Sequence, residues 1–311
     1  MNISAPIDII DIHTHHVPTR WTLTTTQRGN AASRARWQGI AARIADESAL
    51  VESIEDGDLA GRVVNIPSAL FSNDGEAPSG DEFRRINDHL AEIIHHRRGL
   101  IGIASVNVFA GEEGAQETHR AVTDLGLRGV FVESGMGDLL LDAPQARPTL
   151  AAAAALGVPV FAHPVNPQPL TDRMAPYNRL GTLFARGEIN AAALVALLEG
   201  GVFEELPGLK VVVTNLAIGA VLLAATFGSK ANEVLRRNVF IETMGFNPAL
   251  IRACVDILGV DNVLVGSDWP IVSDGPIRDR VVAALSEAGL NESERRLVAA
   301  GNTRRLFGLK Q

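Results

Sequence analysis

The chain has 311 residues, 46% of them hydrophobic and 21% charged, which is enough apolar material to bury one large core. Lys plus Arg number 28 against 36 Asp plus Glu, and the net charge of −8 repels phosphate backbones and anionic lipid, which argues against nucleic-acid and membrane partners. The single cysteine, Cys254, excludes an internal disulfide, a zinc ribbon and a CxxC redox centre, and it fits a cytoplasmic location.

From the N-terminus, Met1 to Pro6 shows no basic region followed by an apolar stretch, so no secretory signal is expected. Short β-branched runs then alternate with helix-length segments to the end of the chain, as a parallel sheet with crossover helices requires. The runs 7–15, 62–67, 100–108, 127–133, 158–163, 210–215, 239–243 and 262–268 predict eight strands. Eight is the number of a (β/α)8 barrel, so the fold expected is α/β, a TIM barrel forming a single domain over 1–311. Between strands, apolar spacing at Phe83, Ile86, Leu90 and Ile93 predicts a helix over 81–98 with Asp81 as its cap. Further helices are predicted over 148–156, stopping at Gly157, over 190–198, over 276–288 and over 292–307.

Residues 17–61 are too long for one helix with connections of about 2 to 6 residues, and read as an insertion over the barrel mouth. The insertion carries Arg20, Trp21, Arg28, Arg34, Arg36 and Trp37, either a lid that binds an anionic substrate or a solvated basic surface. The apolar run 216–227 falls short of the roughly 18 to 20 residues of a bilayer span. It reads as a buried helix or a homodimer contact.

Chemistry concentrates at predicted strand ends. In Asp11-Ile12-His13-Thr14-His15-His16, alternation along a strand points His13 and His15 the same way, into the barrel, with Asp11 one layer beneath them. Two imidazoles buried so closely need a shared partner, and a metal ion supplies one; a hydrogen-bonded core pair is the structural alternative. His163 ends the fifth predicted strand, where Pro164 stops the ladder. Asp268, in Gly266-Ser267-Asp268-Trp269-Pro270, places a carboxylate at the mouth beside the first strand, as a ligand or as a helix cap. Three nitrogens and one carboxylate suit one divalent ion, zinc first, with manganese, iron or cobalt also accommodated.

These segments together resemble the amidohydrolase-2 family of the amidohydrolase superfamily, the metal-dependent hydrolases and decarboxylases of the aminocarboxymuconate semialdehyde decarboxylase type. The resemblance rests on the opening Asp11 to Pro18 with Trp21, on Gly200 to Val212, on Gly266 to Pro270 and on Asn302 to Leu309, and so spans nearly the whole chain. It implies that His13, His15, His163 and Asp268 are the metal ligands. Strand four offers Glu133 where binuclear relatives carry a bridging lysine, which implies one metal, with Glu133 behind the ligands, at the rim, or as a substitute ligand.

The sequence departs from the family at strand six, where Asn215 stands in place of a histidine that serves as acid or base. Asparagine exchanges no proton near neutrality. Proton transfer then falls to Asp268, or to His16 if the strand end turns it inward. The leading expectation is hydrolysis of a small carboxylated substrate by metal-activated water, with Asp268 taking the proton and Asn215 positioning the carbonyl. Non-oxidative decarboxylation of an aromatic or muconate-type acid is the alternative; water addition and an inactive binding barrel remain open. Arg20, Trp21, Glu133 and Trp269 are the expected substrate contacts, with Glu242, Arg173 and Tyr177 behind them.

Overall fold

The computed structural model describes residues 6–18, 31–68, 78–228, 231–273 and 275–310, without the side chains of 31–36. Eight parallel strands form the barrel: β1 (Ile10–His15), β2 (Gly61–Asn65), β3 in two pieces (Leu100–Gly102 and Ala104–Ser105), β4 (Val130–Glu133), β5 (Val160–His163), β6 (Val211–Val213), β7 (Val239–Glu242) and β8 (Val263–Leu264). Pairing runs β1-β2-β3 in one sheet and β3 through β8 in another. The two join at Ile103, whose N–H donates to Val64 O at 3.0 Å, while Arg128 N–H donates to Gly102 O at 2.8 Å. Closure comes from Ile12 N–H to Val265 O at 2.9 Å and a parallel bridge between Thr14 and Trp269.

The strand period of two layers the interior. Ile10, Ile12, Val63, Ile103, Phe131, Phe161, Val212, Phe240 and Leu264 fill the floor, with Phe307 beneath them. Burying each such side chain contributes roughly 1.5–3 kcal/mol, so the floor is a rigid base for what stands on it. Two residues further along each strand come Asn65 after Val63, Glu133 after Phe131, His163 after Phe161 and Glu242 after Phe240. The polar rim is thus one pleat above the apolar floor.

Strand β1 breaks the period. Asp11 pairs with Arg62 and Thr14 with Val64, so Ile12 and His13 together oppose the single residue Val63. This is a β-bulge. It lets Ile12 complete the floor and His13 begin the rim, and it corrects the expectation of Asp11 as a layer under the histidines. Asp11 instead faces outward, onto Arg62 and Ser267.

The helix predicted over 81–98 runs Gly80–His95, and its cap is Ser79 rather than Asp81, in a reciprocal capping box with Glu82. The helix Arg147–Leu156 stops at Gly157, whose φ of 69° no β-carbon favours. The helix predicted over 190–198 is longer, Asn178–Glu199. With the turns before it, Leu170–Glu199 is long and apolar enough to cross a membrane by composition. Asn190 nonetheless ties it to the barrel, donating to Ser134 Oγ at 2.7 Å and Ala162 O at 3.0 Å. Within 17–61, two helices, Ala31–Ile44 and Glu47–Glu55, precede β2, and Ile44, Leu50 and Ile54 join the outer core. Arg20, Trp21 and Arg28 lie outside the described residues, as do the side chains of Arg34 and Arg36.

Candidate metal centre

The bulge on β1, the end of β5 and the turn after β8 bring their side chains to one point. His13, His15 and His163 are buried, and one nitrogen from each lies within 4.8 Å of the others. The rings meet edge to face, with centroids 4.9 Å apart for His13 and His15 and 5.2 Å for His15 and His163. Asp268 joins them, its Oδ1 at 3.0 Å from His15 Nε2 and 3.5 Å from His13 Nε2. Its backbone has a φ of 54°, a conformation that aspartate tolerates better than most residues.

Supporting groups fix these ligands. Asn65 Oδ1 accepts from His15 Nδ1 at 2.7 Å, which leaves the Nε2 lone pair facing the cluster. Glu242 Oε1 lies 3.6 Å from His13 Nδ1, and that carboxylate accepts from Asn215 N–H at 3.1 Å and from Met244 N–H. Gly266 makes room for it, because a β-carbon there would lie 2.7 Å from Glu242 Oε2. Among the described residues, His13 Nε2, His15 Nε2 and Asp268 Oδ1 are buried without a hydrogen-bond partner. Native interiors rarely leave such atoms unpaired, so three unpaired atoms pointing at one place fit a shared divalent cation.

Charge balance follows the same geometry. Burial pushes the His163 imidazole well below its ordinary value, and Arg186 lowers it further, so it stays neutral and able to ligate. Burial likewise lowers His15, against the pull of Asp268. Burial raises Asp268, but the His13 charge and the contact with His15 outweigh it and hold the carboxyl below its usual range. Glu242 is raised, chiefly by burial, with His13 opposing.

Several expected site residues sit elsewhere. His16 faces outward: its ring stacks on His89 at 5.9 Å and 23°, and burial followed by the His89 charge lowers its pKa to about 4. This corrects its assignment to proton transfer; the parity that turns His15 in turns His16 out. Trp269 is also outside the mouth, 2% exposed with the Arg62 guanidinium 5.3 Å from its ring, and so does not face substrate. Glu133 stands on the rim, accepting from Ser68 Oγ and aligned in register with His163. Asn215 Nδ2 donates to Met244 O, while its Oδ1 is buried without a partner. Glu242, expected near substrate, lies behind His13 instead.

Sequence reasoning missed Asn65, Arg186 and the supporting part of Glu242. Arg186, on the Asn178–Glu199 helix, reaches to 3.4 Å from His163 Nε2, and Asp268 and Glu133 hold its charge against the downward pull of burial. Glu242 and Asn65 were detectable as polar residues ending apolar strands, the signal that marks Asp268. Arg186 had no such signal.

The fold and the cluster define a barrel enzyme built around a divalent metal. The profile of the Amidohydrolase family matches residues 10–309, and the chain belongs to that family. Its relatives include the 2-amino-3-carboxymuconate-6-semialdehyde decarboxylase of Dictyostelium discoideum, 22% identical over 96% of this chain and 91% of that protein. The gamma-resorcylate decarboxylase of Rhizobium sp. (strain MTP-10005) is 28% identical over 73% of this chain and 76% of that one. Among solved structures, a dihydroxybenzoic acid decarboxylase from Polaromonas sp. JS666 with bound manganese and 2-nitroresorcinol superposes with a TM-score of 0.83, at 21% identity, covering 98% of both chains. These proteins are decarboxylases, so of the reactions open in the sequence the carboxy-lyase fits better than the hydrolase.

Proposed function

We propose that this enzyme removes carbon dioxide, without redox chemistry, from a small aromatic or muconate-type acid. The observation that carries the reading is Arg186: it places a fixed cation beside His163 at the rim, where a substrate carboxylate needs one. His13, His15, His163 and Asp268 would hold the metal, zinc by their donor set or manganese by the Polaromonas example. When bound, it supplies positive charge that anchors substrate oxygens and draws electron density from the scissile bond. Arg186 binds a carboxylate oxygen and, with the rim, orients the carboxyl out of the ring plane. Asn215 Oδ1 accepts from a neighbouring hydroxyl of the substrate.

The bond from ring carbon to carboxyl breaks, its electron pair stays on the carbon, and the proton that replaces carbon dioxide passes to that carbon from solvent through Asp268, a carboxylate that is ionised at rest. No water attacks a carbonyl on this route, so it needs no base at Asn215 to activate one. Arg20 and Trp21, which follow β1 in the sequence, remain proposed substrate contacts, with Glu133 at the rim. The apolar Ile218–Phe227 helix, with Leu223 59% and Phe227 80% exposed, is the proposed homodimer face.

The test is turnover of 2,6-dihydroxybenzoate, 5-carboxyvanillate and 2-amino-3-carboxymuconate-6-semialdehyde in D2O. Metal-loaded protein is expected to release carbon dioxide from one of them and to leave one deuterium at the vacated carbon. Arg186→Gln should raise KM for that acid about 10- to 100-fold, the loss of one charged carboxylate contact. Hydrolysis of lactones or amides with no carbon dioxide from any acid would overturn the reading.

A further inference from the structure

A second cluster of metal-ligating side chains lies on the other side of β1, outside the barrel. His16 follows the rim histidines and points away from them into the helix layer. The Glu47–Glu55 helix begins at its first ligand candidate, Glu47, and the Gly80–His95 helix presents His89. One ligand atom from each of His16, Glu47 and His89 lies within 4.8 Å of the others. The two imidazoles are nearly parallel, 23° between planes with centroids 5.9 Å apart, so both can turn an edge nitrogen towards one point.

His16 is 1% exposed, and neither of its ring nitrogens makes a hydrogen bond of good geometry, although the Ile44 carbonyl is near enough to favour its protonated form. A buried imidazole has one donor and one acceptor to satisfy, and leaving both unmade is costly. Glu47 has capacity to spare: Arg97 Nη2 donates to its Oε2 at 2.9 Å, and a carboxylate has a second oxygen to offer. Asp46, the residue that caps the Glu47–Glu55 helix, adds a further negative charge near His16. The donor set is two imidazole nitrogens and a carboxylate oxygen.

We infer that His16, Glu47 and His89 form a second cation site, structural in role, that takes Zn2+ and clamps the first two helix-bearing segments to the end of β1. Two imidazoles and a carboxylate are a ligand set that zinc accepts, with solvent completing four-coordination through the exposed side of Glu47. The backbone N–H of His16 already donates to Asn65 O at 3.1 Å, and Asn65 orients His15. The clamp therefore braces the barrel centre from behind without touching substrate, and its existence does not depend on the reaction proposed above.

The experiment is metal stoichiometry on chelator-stripped protein, dialysed against micromolar Zn2+ and read by elemental analysis, with thermal unfolding read in parallel. Wild-type protein is expected to hold two equivalents, and His89→Ala and Glu47→Gln one each, with the decarboxylase activity unchanged in both. The second equivalent should raise Tm in wild-type protein and leave Tm of both variants unchanged, because only a ligand that favours the folded state stabilises it. Glu47→Gln keeps the shape of a surface side chain, so it serves if His89→Ala folds poorly. The same metal content in both variants as in wild-type protein would overturn the clamp and leave a stack of two structural histidines.

Discussion

Strand β1 separates two buried electrostatic centres that differ in one respect. On its outer side Asp11 is fully satisfied: it accepts from His13 N–H at 3.1 Å, Ser267 N–H at 2.9 Å, Ser267 Oγ at 2.5 Å, Thr14 Oγ1 at 3.3 Å and the Arg62 guanidinium. On its inner side, among the described residues, His13 Nε2, His15 Nε2 and Asp268 Oδ1 end without hydrogen-bond partners. Both centres are buried, Asp11 and Arg62 at 0% and 1% exposed and His163 and Asp268 at 7% and 8%. The difference teaches that burial of polar groups marks structure where the valences close and a ligand site where they converge open. Asp11 and Arg62 lock β1 to β2 and to the turn after β8, and that lock holds the open valences in place.

Removing an inner ligand tests function and removing an outer partner tests the fold, and the two losses should separate. The largest effect is expected for His163→Ala or for chelation: carbon dioxide release falls to background, on the order of 10³-fold or more, since positioning and charge stabilisation go together. Thermal unfolding of metal-free His163→Ala should fall only modestly below that of metal-free wild-type protein, because the variant loses the packing of one imidazole and a single long contact with Arg186 at 3.4 Å. A large drop in Tm of the metal-free variant would show that the inner centre is structural after all.

Asp11→Ala comes next and should do the reverse. It strands Arg62, 1% exposed, without its counter-charge, and breaking such a pair typically costs about 3–5 kcal/mol. Chemical denaturation is the measurement, and a loss below about 1 kcal/mol would break the contrast between the two sides. Activity at low temperature, where the variant stays folded, should survive in part.

How much of this was legible follows from the same geometry. The eight strands could be read because each barrel strand is buried on both faces and so is a run of β-branched and apolar residues. His13, His15, His163 and Asp268 could be read because each is a polar residue at the end of such a run. The bulge at Ile12 and His13 could not, since it depends on which residues of β2 stand opposite. That is why Asp11 was placed under the histidines when it lies behind them. His16 and Trp269 were misplaced for a related reason: near a strand end one residue decides the face. Arg186 comes from a helix in which an arginine carries no mark of where it points, and only the packing of Asn178–Glu199 on β5 brings it to the metal centre.

Glu242 sharpens the comparison because it belongs to the inner centre yet is satisfied like the outer one. Its oxygens accept from Asn215 and Met244 N–H while it faces His13 Nδ1. Glu242→Gln keeps the shape and removes the charge, and losses of such supporting groups run about 10- to 100-fold in metal affinity. Competition with a chromophoric chelator reads this directly. An unchanged affinity would show that His13 needs no orienting partner.

The smallest effect concerns the far side of Glu242. Cys254, on the Pro248–Leu258 helix, is 3% exposed, and its thiol is pushed up to about 12, first by burial and second by the Glu242 carboxylate. The sign is that of an acid whose charged form is disfavoured: below that value the thiol stays protonated, and the thiolate is the reactive species. Native protein at pH 8 is therefore expected to resist iodoacetamide and to label fully in denaturant, as followed by mass spectrometry. Removing the carboxylate charge in Glu242→Gln lifts only the second cause, so labelling should quicken slightly, by far less than unfolding does. Rapid labelling of native wild-type protein would mean that the helix opens locally, and that the wall behind His13 is not the rigid support that the orphaned nitrogens of the metal centre require.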